Sequence, residues 1–417
     1  MSKTFTINEN KIKVFPKSLN KTVKAPASKS IMQRVIALSL LSEGRVIVKN
    51  PSFSDDVLSA IRVAGALGTS VQFTADEIVI ERTDGIMETN INFGESGLST
   101  RMFSPILSLF GNDFTLNGKG SLLKRPVEGI KDALGQFGVS VKTNNGFLPI
   151  EIFGKLEGGK IEIDGSLSSQ VLTGLLIALP KASKDSEIIV KNLKSKPYVN
   201  LTLAMIEYFG GNIVNENYEK FIIKGNQKYF ASNYIVEGDW SGAAFLLVAG
   251  LISEKMEVSG LNINSLQADK GIVSAIKKAK GHIFINKDSI KTIKSNLRGF
   301  EFDATDCPDL FPPLVALASF CEGTTKIKGA SRLTHKESNR AIVLKTEFAK
   351  IGINITLNGD VMLIQGGKPT GGTIDSHNDH RIAMAAGVVA LGAESEITIL
   401  NADSVNKSYT RFFRDIK

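Results

Sequence analysis

Ile188-Ile-Val-Lys-Asn192 repeats Val46-Ile-Val-Lys-Asn50 almost letter for letter, and four further segments share the form: Phe114-Thr-Leu-Asn-Gly118, Met256-Glu-Val-Ser-Gly260, Thr325-Lys-Ile-Lys-Gly329 and Ile397-Thr-Ile-Leu-Asn401. Each reads as a short apolar strand that stops on Asn or Gly, residues that favour a turn. The last residues of the six lie 68, 74, 68, 69 and 72 positions apart. A fixed period of this kind outweighs any element-by-element reading, because it means one supersecondary unit copied along the chain. A small-residue-rich apolar stretch of helical length precedes each strand. Ile36-Ala-Leu-Ser-Leu-Leu41, Val171-Leu-Thr-Gly-Leu-Leu-Ile-Ala178 and Ala383-Met-Ala-Ala-Gly-Val-Val-Ala-Leu391 are examples, and they predict buried helices.

A second signature falls between the first. Ala64-Gly-Ala-Leu-Gly68, Leu134-Gly-Gln-Phe-Gly138, Ile206-Glu-Tyr-Phe-Gly-Gly211, Lys278-Ala-Lys-Gly281 and Phe348-Ala-Lys-Ile-Gly352 each end an amphipathic stretch on Gly before a new apolar run. Their last glycines are 70, 73, 70 and 71 apart. Gly is expected there at positive φ, where a helix commonly stops. Six units in 417 residues make 69.5 residues per unit. A βαβαβ-type unit of that size cannot bury its own helices, so the units should cluster. Two clusters of three match the two domains expected of this length, with a polar crossover near 225–233. An open solenoid is the alternative, although its units usually run shorter, about 20 to 50 residues.

Composition narrows the class. The chain is 42% hydrophobic and 22% charged with 38 Gly and 12 Pro, which excludes collagen-like and disordered proteins. The longest charge-free stretches, 171–180 and 382–393, fall short of the roughly 18 to 20 apolar residues of a membrane helix. The first ten residues lack the basic start and apolar run of a signal peptide, so the expected location is the cytoplasm. Cys307 and Cys321 are too few for a disulfide framework and read as free thiols. The net charge of +8 is mild, and the Lys and Arg residues are dispersed among few aromatics. That disfavours a nucleic-acid partner.

A polar cluster stands before each predicted buried helix: Ser28-Lys-Ser30, Gly94-Glu-Ser-Gly97, Ser168-Ser-Gln170, Gly238-Asp-Trp-Ser241, Asp306-Cys-Pro-Asp309 and Asn378-Asp-His-Arg381. Any one of them can be a plain N-cap, worth roughly 1 kcal/mol. The cations argue for more. Lys29, Arg34, Arg101 and Arg381 fall at or near helix starts, where the macrodipole disfavours positive charge unless an anion compensates it. Helix starts with local cations form phosphate or carboxylate sites. No Walker motif or GxGxxG after a strand accompanies them, and Gly118-Lys-Gly-Ser121 reads as a turn. His377 and His380 could share a helix face, but the surrounding Asn-Asp-His-Arg favours a structural role over metal binding. In His335-Lys-Glu-Ser-Asn-Arg340, a helix would put Lys336 and Arg340 on one face with Glu337 adjacent. With Asp309, Glu337 suits a proton donor and acceptor pair in an electropositive cleft.

Taken in order and spacing, these motifs resemble the 5-enolpyruvylshikimate-3-phosphate synthase family over nearly the whole chain. The matching residues are Pro26-Ala-Ser-Lys-Ser-Ile-Met-Gln-Arg34, Gly94-Glu-Ser-Gly-Leu-Ser-Thr-Arg101, Lys124-Arg-Pro126, Ser168-Ser-Gln-Val-Leu-Thr173, Ser195-Lys-Pro-Tyr198, Glu237-Gly-Asp239, Pro308-Asp309, His335 to Arg340, Asn378 to Arg381, and Lys407. The resemblance implies a mixed α/β (α+β) fold of two similar domains, 21–230 and 1–20 plus 231–417. Each would hold three βαβαββ-type units with buried helices and outer sheets, an inside-out α/β barrel, and the active site would lie in an interdomain cleft. It implies an enolpyruvyl transferase acting on phosphoenolpyruvate and shikimate 3-phosphate as a monomer, without metal or organic cofactor.

By the same resemblance, Lys29, Ser30, Arg34, Ser168, Ser169, Ser195, Asp309 and Lys336 bind shikimate 3-phosphate. Lys29, Gly97, Arg125, Gln170, Arg340, Arg381 and Lys407 line the phosphoenolpyruvate site, and Asp309, Glu337 and Lys29 are catalytic. The chain departs from the family pattern at Glu95, Leu98, Arg332 and Asn339. The sister enzymes that use UDP-N-acetylglucosamine fit less well, since they begin the first motif Lys-Asn where this chain has Lys29-Ser30, and they carry a loop Cys near the position of Arg125. A non-catalytic anion- or nucleic-acid-binding repeat protein is the remaining alternative.

Overall fold

The strand Asn90–Asn92 passes through the helix Gly97–Ser108 into Phe114–Asn117, which lies beside it in parallel. An outer helix, Glu128–Gln136, then leads to the hairpin Ser140–Asn144 and Phe147–Phe153, whose second strand pairs antiparallel with Phe114–Asn117. The result is one βαβαββ unit carrying a four-stranded sheet. In this computed structural model, which describes residues 5–8, 10–74, 76–83, 85–166 and 168–417, the same pattern builds six such sheets.

Three of the sheets are completed by strands distant in sequence. Asn20–Lys24 adds in parallel to Lys255–Ser259, Asn233–Ile235 adds in parallel to Arg45–Lys49, and the hairpin Phe5–Asn8 with Lys11–Val14 adds to Ile397–Leu400. These pairings decide where the chain passes between its two units. One is Ala27–Val236, and the other joins the residues up to Pro26 with Glu237–Lys417. The crossings at 26/27 and 236/237 fall a few residues beyond the expected 20/21 and 230/231. The reason is that Asn20–Lys24 and Asn233–Ile235 are last strands of the units they leave. Part of the 1–20 segment, and part of the stretch read for a signal peptide, lies outside the described residues.

Each unit has its own apolar core, and the helices from the small-residue stretches run through it. In Ala27–Val236 they are Lys29–Leu41, Gly97–Ser108 and Gln170–Ala178; in the other unit they are Trp240–Ile252, Phe311–Ala318 and His380–Ala390. From Ile31 to Leu41 every residue is buried, as expected of a helix apolar on all sides. The outer helix Glu128–Gln136 instead buries only Ile130, Ala133 and Leu134. Small residues allow close helix packing. A Cβ on Gly174 would sit 2.4 Å from the Met102 carbonyl oxygen of the neighbouring helix.

The turn residues behave as the repeat predicts, with one refinement. Asn50, Asn192 and Asn401 end their strands at φ of 53 to 54°, a left-handed conformation that Asn tolerates. Gly68, Gly138 and Gly352 end their helices at φ of 79 to 84°. At the other two helix ends the left-handed residue is the one before the expected glycine, Gly210 at 82° and Lys280 at 61°. Gly211 and Gly281 are needed for space: a Cβ would lie 2.6 Å from Tyr229 Cε1 at the first and 2.8 Å from Ile276 Cγ2 at the second. No helix of the described residues is long and apolar enough to cross a membrane.

Candidate active site

The residues that directly precede the helices divide into those whose side chains cap and those whose side chains do not. Ser96, Asp239 and Asp379 accept hydrogen bonds from the first helical N–H groups with their side chains, whereas Ser28, Ser169 and Ser195 make no such cap bond. Ser195 also holds φ at 59°, which Ser seldom adopts. A simple capping role therefore does not account for these three serines.

In the unit Ala27–Val236, side chains tie the helix starts to one another. Gln33 Nε2 donates to Ser96 Oγ at 2.8 Å, and Arg101 Nη1 donates to Gln170 Oε1 at 3.3 Å. Arg34 is buried one turn into its helix, where Nε donates to Thr202 Oγ1 at 3.0 Å and Nη1 to the Ser30 carbonyl at 2.9 Å. Its longest contact, from Nη2 to Thr173 Oγ1, is 3.5 Å. All of these acceptors are neutral, and burial pushes the guanidinium down to about 10. Lys29 instead has an internal anion, Asp56, with Nζ 2.8 Å from Oδ2, which compensates its place at a helix start. The Arg125 guanidinium lies over Gly97, so that a Cβ there would be 2.5 Å from Nη1. Ser168 Oγ accepts the Gln170 N–H at 3.2 Å. Glu95 turns to the Gly120–Lys124 segment and accepts from the N–H and hydroxyl of Ser121 at 3.1 and 2.9 Å.

The second group belongs to the other unit and centres on Arg340, which is fully buried. Its Nε and Nη2 grip Asp379 at 2.9 and 3.1 Å, Nη1 reaches Asp309 at 3.0 Å, and Nη2 reaches Glu337 at 2.6 Å. Burial disfavours its charge, but the three carboxylates outweigh burial and hold it above the usual arginine range. Asp309 also receives Lys336 Nζ at 3.3 Å and Arg381 Nη2 at 3.1 Å. For Arg381 too, burial is outweighed, chiefly by Asp309. For Lys336 burial prevails and its ammonium is pushed down. Lys407 Nζ donates to the Asn378 carbonyl at 2.6 Å. Three carboxylates thus share one guanidinium, beside three further cations.

Two sets of expectations are corrected here. Lys336 and Arg340 do not share a helix, because the helix is Arg340–Ala349 and begins after Lys336 and Glu337; both cations converge on Asp309 through the preceding turn. His377 and His380 do not share a helix face either. His377 stands before the helix at φ 52° with Nε2 3.1 Å from Glu347 Oε1, while His380 is its first residue. Cys307 and Cys321 are free and buried, and burial raises both thiols, Cys321 to about 12.

Comparison with known proteins shows the family. The family model described as EPSP synthase (3-phosphoshikimate 1-carboxyvinyltransferase) matches residues 15–416. The chain belongs to the EPSP synthase family. It is 38% identical over 419 residues to the 3-phosphoshikimate 1-carboxyvinyltransferase of Clostridium novyi (strain NT), covering 97% of this chain and 96% of that protein. It is 36% identical to the protein of the same name from Clostridioides difficile (strain 630), covering 97% and 96%. A solved EPSP synthase from Acinetobacter baumannii superposes with a TM-score of 0.80 at 26% identity over 97% of each chain. Its two-domain, inside-out α/β arrangement of repeats is the fold class of this chain.

Several residues of this family member's site escaped the sequence reading. Asp379 lies inside the quoted Asn378-to-Arg381 motif, and its position as an N-cap was a usable signal; its grip on Arg340 was not. Thr173 closes the quoted Ser168-to-Thr173 motif, whereas Thr202 and Asp56 sit in ordinary helical sequence and carry no such mark; the hold of the three on Arg34 and Lys29 was not readable.

Proposed function

We infer that this chain, as an EPSP synthase family member, transfers the 1-carboxyvinyl group of phosphoenolpyruvate to the 5-hydroxyl of shikimate 3-phosphate and releases phosphate. That places it as a transferase in the shikimate pathway to chorismate and the aromatic amino acids, acting as a monomer in the cytoplasm. The observation that carries the residue roles is the sharing of Arg340 by Asp309 and Glu337, with Lys336 and Arg381 on Asp309.

The chemistry asks for this set. Glu337 protonates C3 of phosphoenolpyruvate, which gives C2 oxocarbenium character. Asp309 takes the proton of the 5-hydroxyl as its oxygen bonds to C2. The C2–O bond to phosphate then breaks, Glu337 takes a proton back from C3 to restore the vinyl group, and the proton held by Asp309 leaves with the inorganic phosphate, so that both carboxyl groups return to their starting states. Cations hold the substrate carboxylate and phosphates as charge develops. In this reading Arg125, Arg381, Lys407 and Lys29 hold phosphoenolpyruvate with Gly97 and Gln170. Arg34, Ser30, Ser168, Ser169, Ser195 and Lys336 hold shikimate 3-phosphate. Arg340 contacts phosphoenolpyruvate only as Glu337 or Asp309 yields part of its hold, so substrate binding and release of the two carboxylates are coupled.

The test is phosphate release from phosphoenolpyruvate by the purified chain, expected only when shikimate 3-phosphate is present. Release with UDP-N-acetylglucosamine in its place would reassign the acceptor. Binding of both substrates with no phosphate release would leave an anion-binding protein.

A further inference from the structure

A further acid stands beside the Arg381 cluster and has no part in the steps above. Asp269 lies in the short Ala268–Gly271 helical turn and is fully buried. Its Oδ2 accepts a short hydrogen bond from the hydroxyl of Ser241, at the start of the Trp240–Ile252 helix. Its Oδ1 is buried without a hydrogen-bond partner. An ionised carboxylate there would lack the donors that a buried charge requires. The groups facing it come from each neighbouring element: Asp239 and Ser241 from the Trp240–Ile252 helix, Cys307 and Asp309 around Pro308–Leu310, and Arg381 from His380–Ala390. Burial first, and then the charge of Asp309, push the Asp269 carboxyl up to about 7, against the pull of Arg381 and the Ser241 hydrogen bond.

With its proton on, Asp269 leaves Arg381 to Asp309, at 3.1 Å, and to the charge of Asp239. With its proton off, a further carboxylate draws on the same guanidinium and adds negative charge to a cluster that has to receive an anion. We propose that Asp269 is a positioning residue whose uncharged form keeps Arg381 available to phosphoenolpyruvate, and whose ionisation weakens phosphoenolpyruvate binding on the alkaline side of neutrality. The proposal rests on the reading of Arg381 as a phosphoenolpyruvate-binding group.

The experiment compares KM for phosphoenolpyruvate in the wild-type chain and in Asp269→Asn from about pH 6 to about pH 8.5. Titration of the substrate's own phosphate is common to both and cancels in the ratio of the two KM values. The variant-to-wild-type ratio is expected to fall about tenfold across that range, the scale of one partly screened charge. A ratio that does not move with pH overturns the proposal, since a purely structural Asp269 would alter KM at every pH alike. Ser241→Ala removes a hydrogen bond to the ionised form, so the wild-type transition should move to higher pH; no shift, or a shift downward, counts against the proposal.

Thermal melts supply the control for folding. The native state holds the Asp269 proton up to about 7 and the unfolded state only to about 4, so this group lowers stability as pH rises between the two. The Asn variant should escape that fall. If the wild-type chain releases no phosphate from the two substrates, the functional reading fails by itself. The Asp269 proposal is then decided by calorimetric Kd values for inorganic phosphate over the same pH range: the same falling ratio supports it and a flat ratio overturns it.

Discussion

Arg34 and Arg340 are both buried guanidinium groups among the candidate substrate-binding residues, one in each unit, and they are held in opposite ways. Arg34 has hydroxyl and carbonyl partners only, and burial lowers it to about 10. Arg340 has three carboxylates, and they hold it above the usual range despite burial. The difference separates two uses of one side chain. A cation in a neutral cradle still lacks an anion, which a ligand can supply. A cation saturated by carboxylates is part of the frame that holds those carboxylates in place, and a ligand reaches it only by competition.

The largest effect should come from breaking the saturated side. Arg340→Met leaves Asp379, Glu337 and Asp309 without their shared partner, and removing one member of a buried ionic set costs about 3–5 kcal/mol. Urea unfolding should show a midpoint lowered by that free energy divided by the slope, with the slope itself unchanged, together with loss of turnover. A wild-type midpoint would mean that the carboxylates do not depend on Arg340, and the comparison would fail. Next, Glu337→Gln keeps the shape and an amide oxygen for Arg340 but loses both the charge and the exchangeable proton. Phosphate release should fall about 10²- to 10⁴-fold with KM values for both substrates near wild type. Normal turnover would remove Glu337 from proton transfer.

How far the sequence revealed these sites follows from the same contrast. The fold was readable because a repeat multiplies a weak signal: Asn50, Asn192 and Asn401 each suggest a turn, and in phase they mark copies of one unit. The cations were readable because a charge at a helix start is locally unusual, as at Lys29 and Arg381. What the sequence could not carry was partnership. Whether a buried Arg meets Thr202 or Asp379 depends on which helices pack together, and neither residue is unusual in its own stretch. The strands Asn20–Lys24 and Asn233–Ile235 show the same limit, since only their pairing assigns them to a unit.

Arg34→Met tests the neutral side and should invert the Arg340 result. Replacing a buried charge that has no carboxylate partner by an apolar side chain is expected to leave stability unchanged or raised. The loss appears in binding instead. Charge-assisted hydrogen bonds to a substrate anion contribute about 1.5–3 kcal/mol, so KM for shikimate 3-phosphate should rise roughly 10- to 100-fold. A destabilised variant with an unchanged KM would show that Arg34 is framework, as Arg340 is.

Thr202→Val is the mildest and most discriminating change, because it alters the cradle and leaves the cation in place. Thr202 Oγ1 accepts from Arg34 Nε at 3.0 Å and donates to the Tyr198 carbonyl at 2.8 Å, and valine keeps the shape while losing both bonds. Because the donor is a charged guanidinium, the loss should be about 1.5–3 kcal/mol of stability, below that of Arg340→Met, with a few-fold rise in KM for shikimate 3-phosphate. Saturating shikimate 3-phosphate should restore part of the lost melting temperature, because the ligand supplies Arg34 with an anion in place of the hydroxyl. A loss as large as that of Arg340→Met would mean that Thr202 holds Arg34 as firmly as carboxylates hold Arg340, and the distinction between a neutral cradle and an ionic frame would not survive.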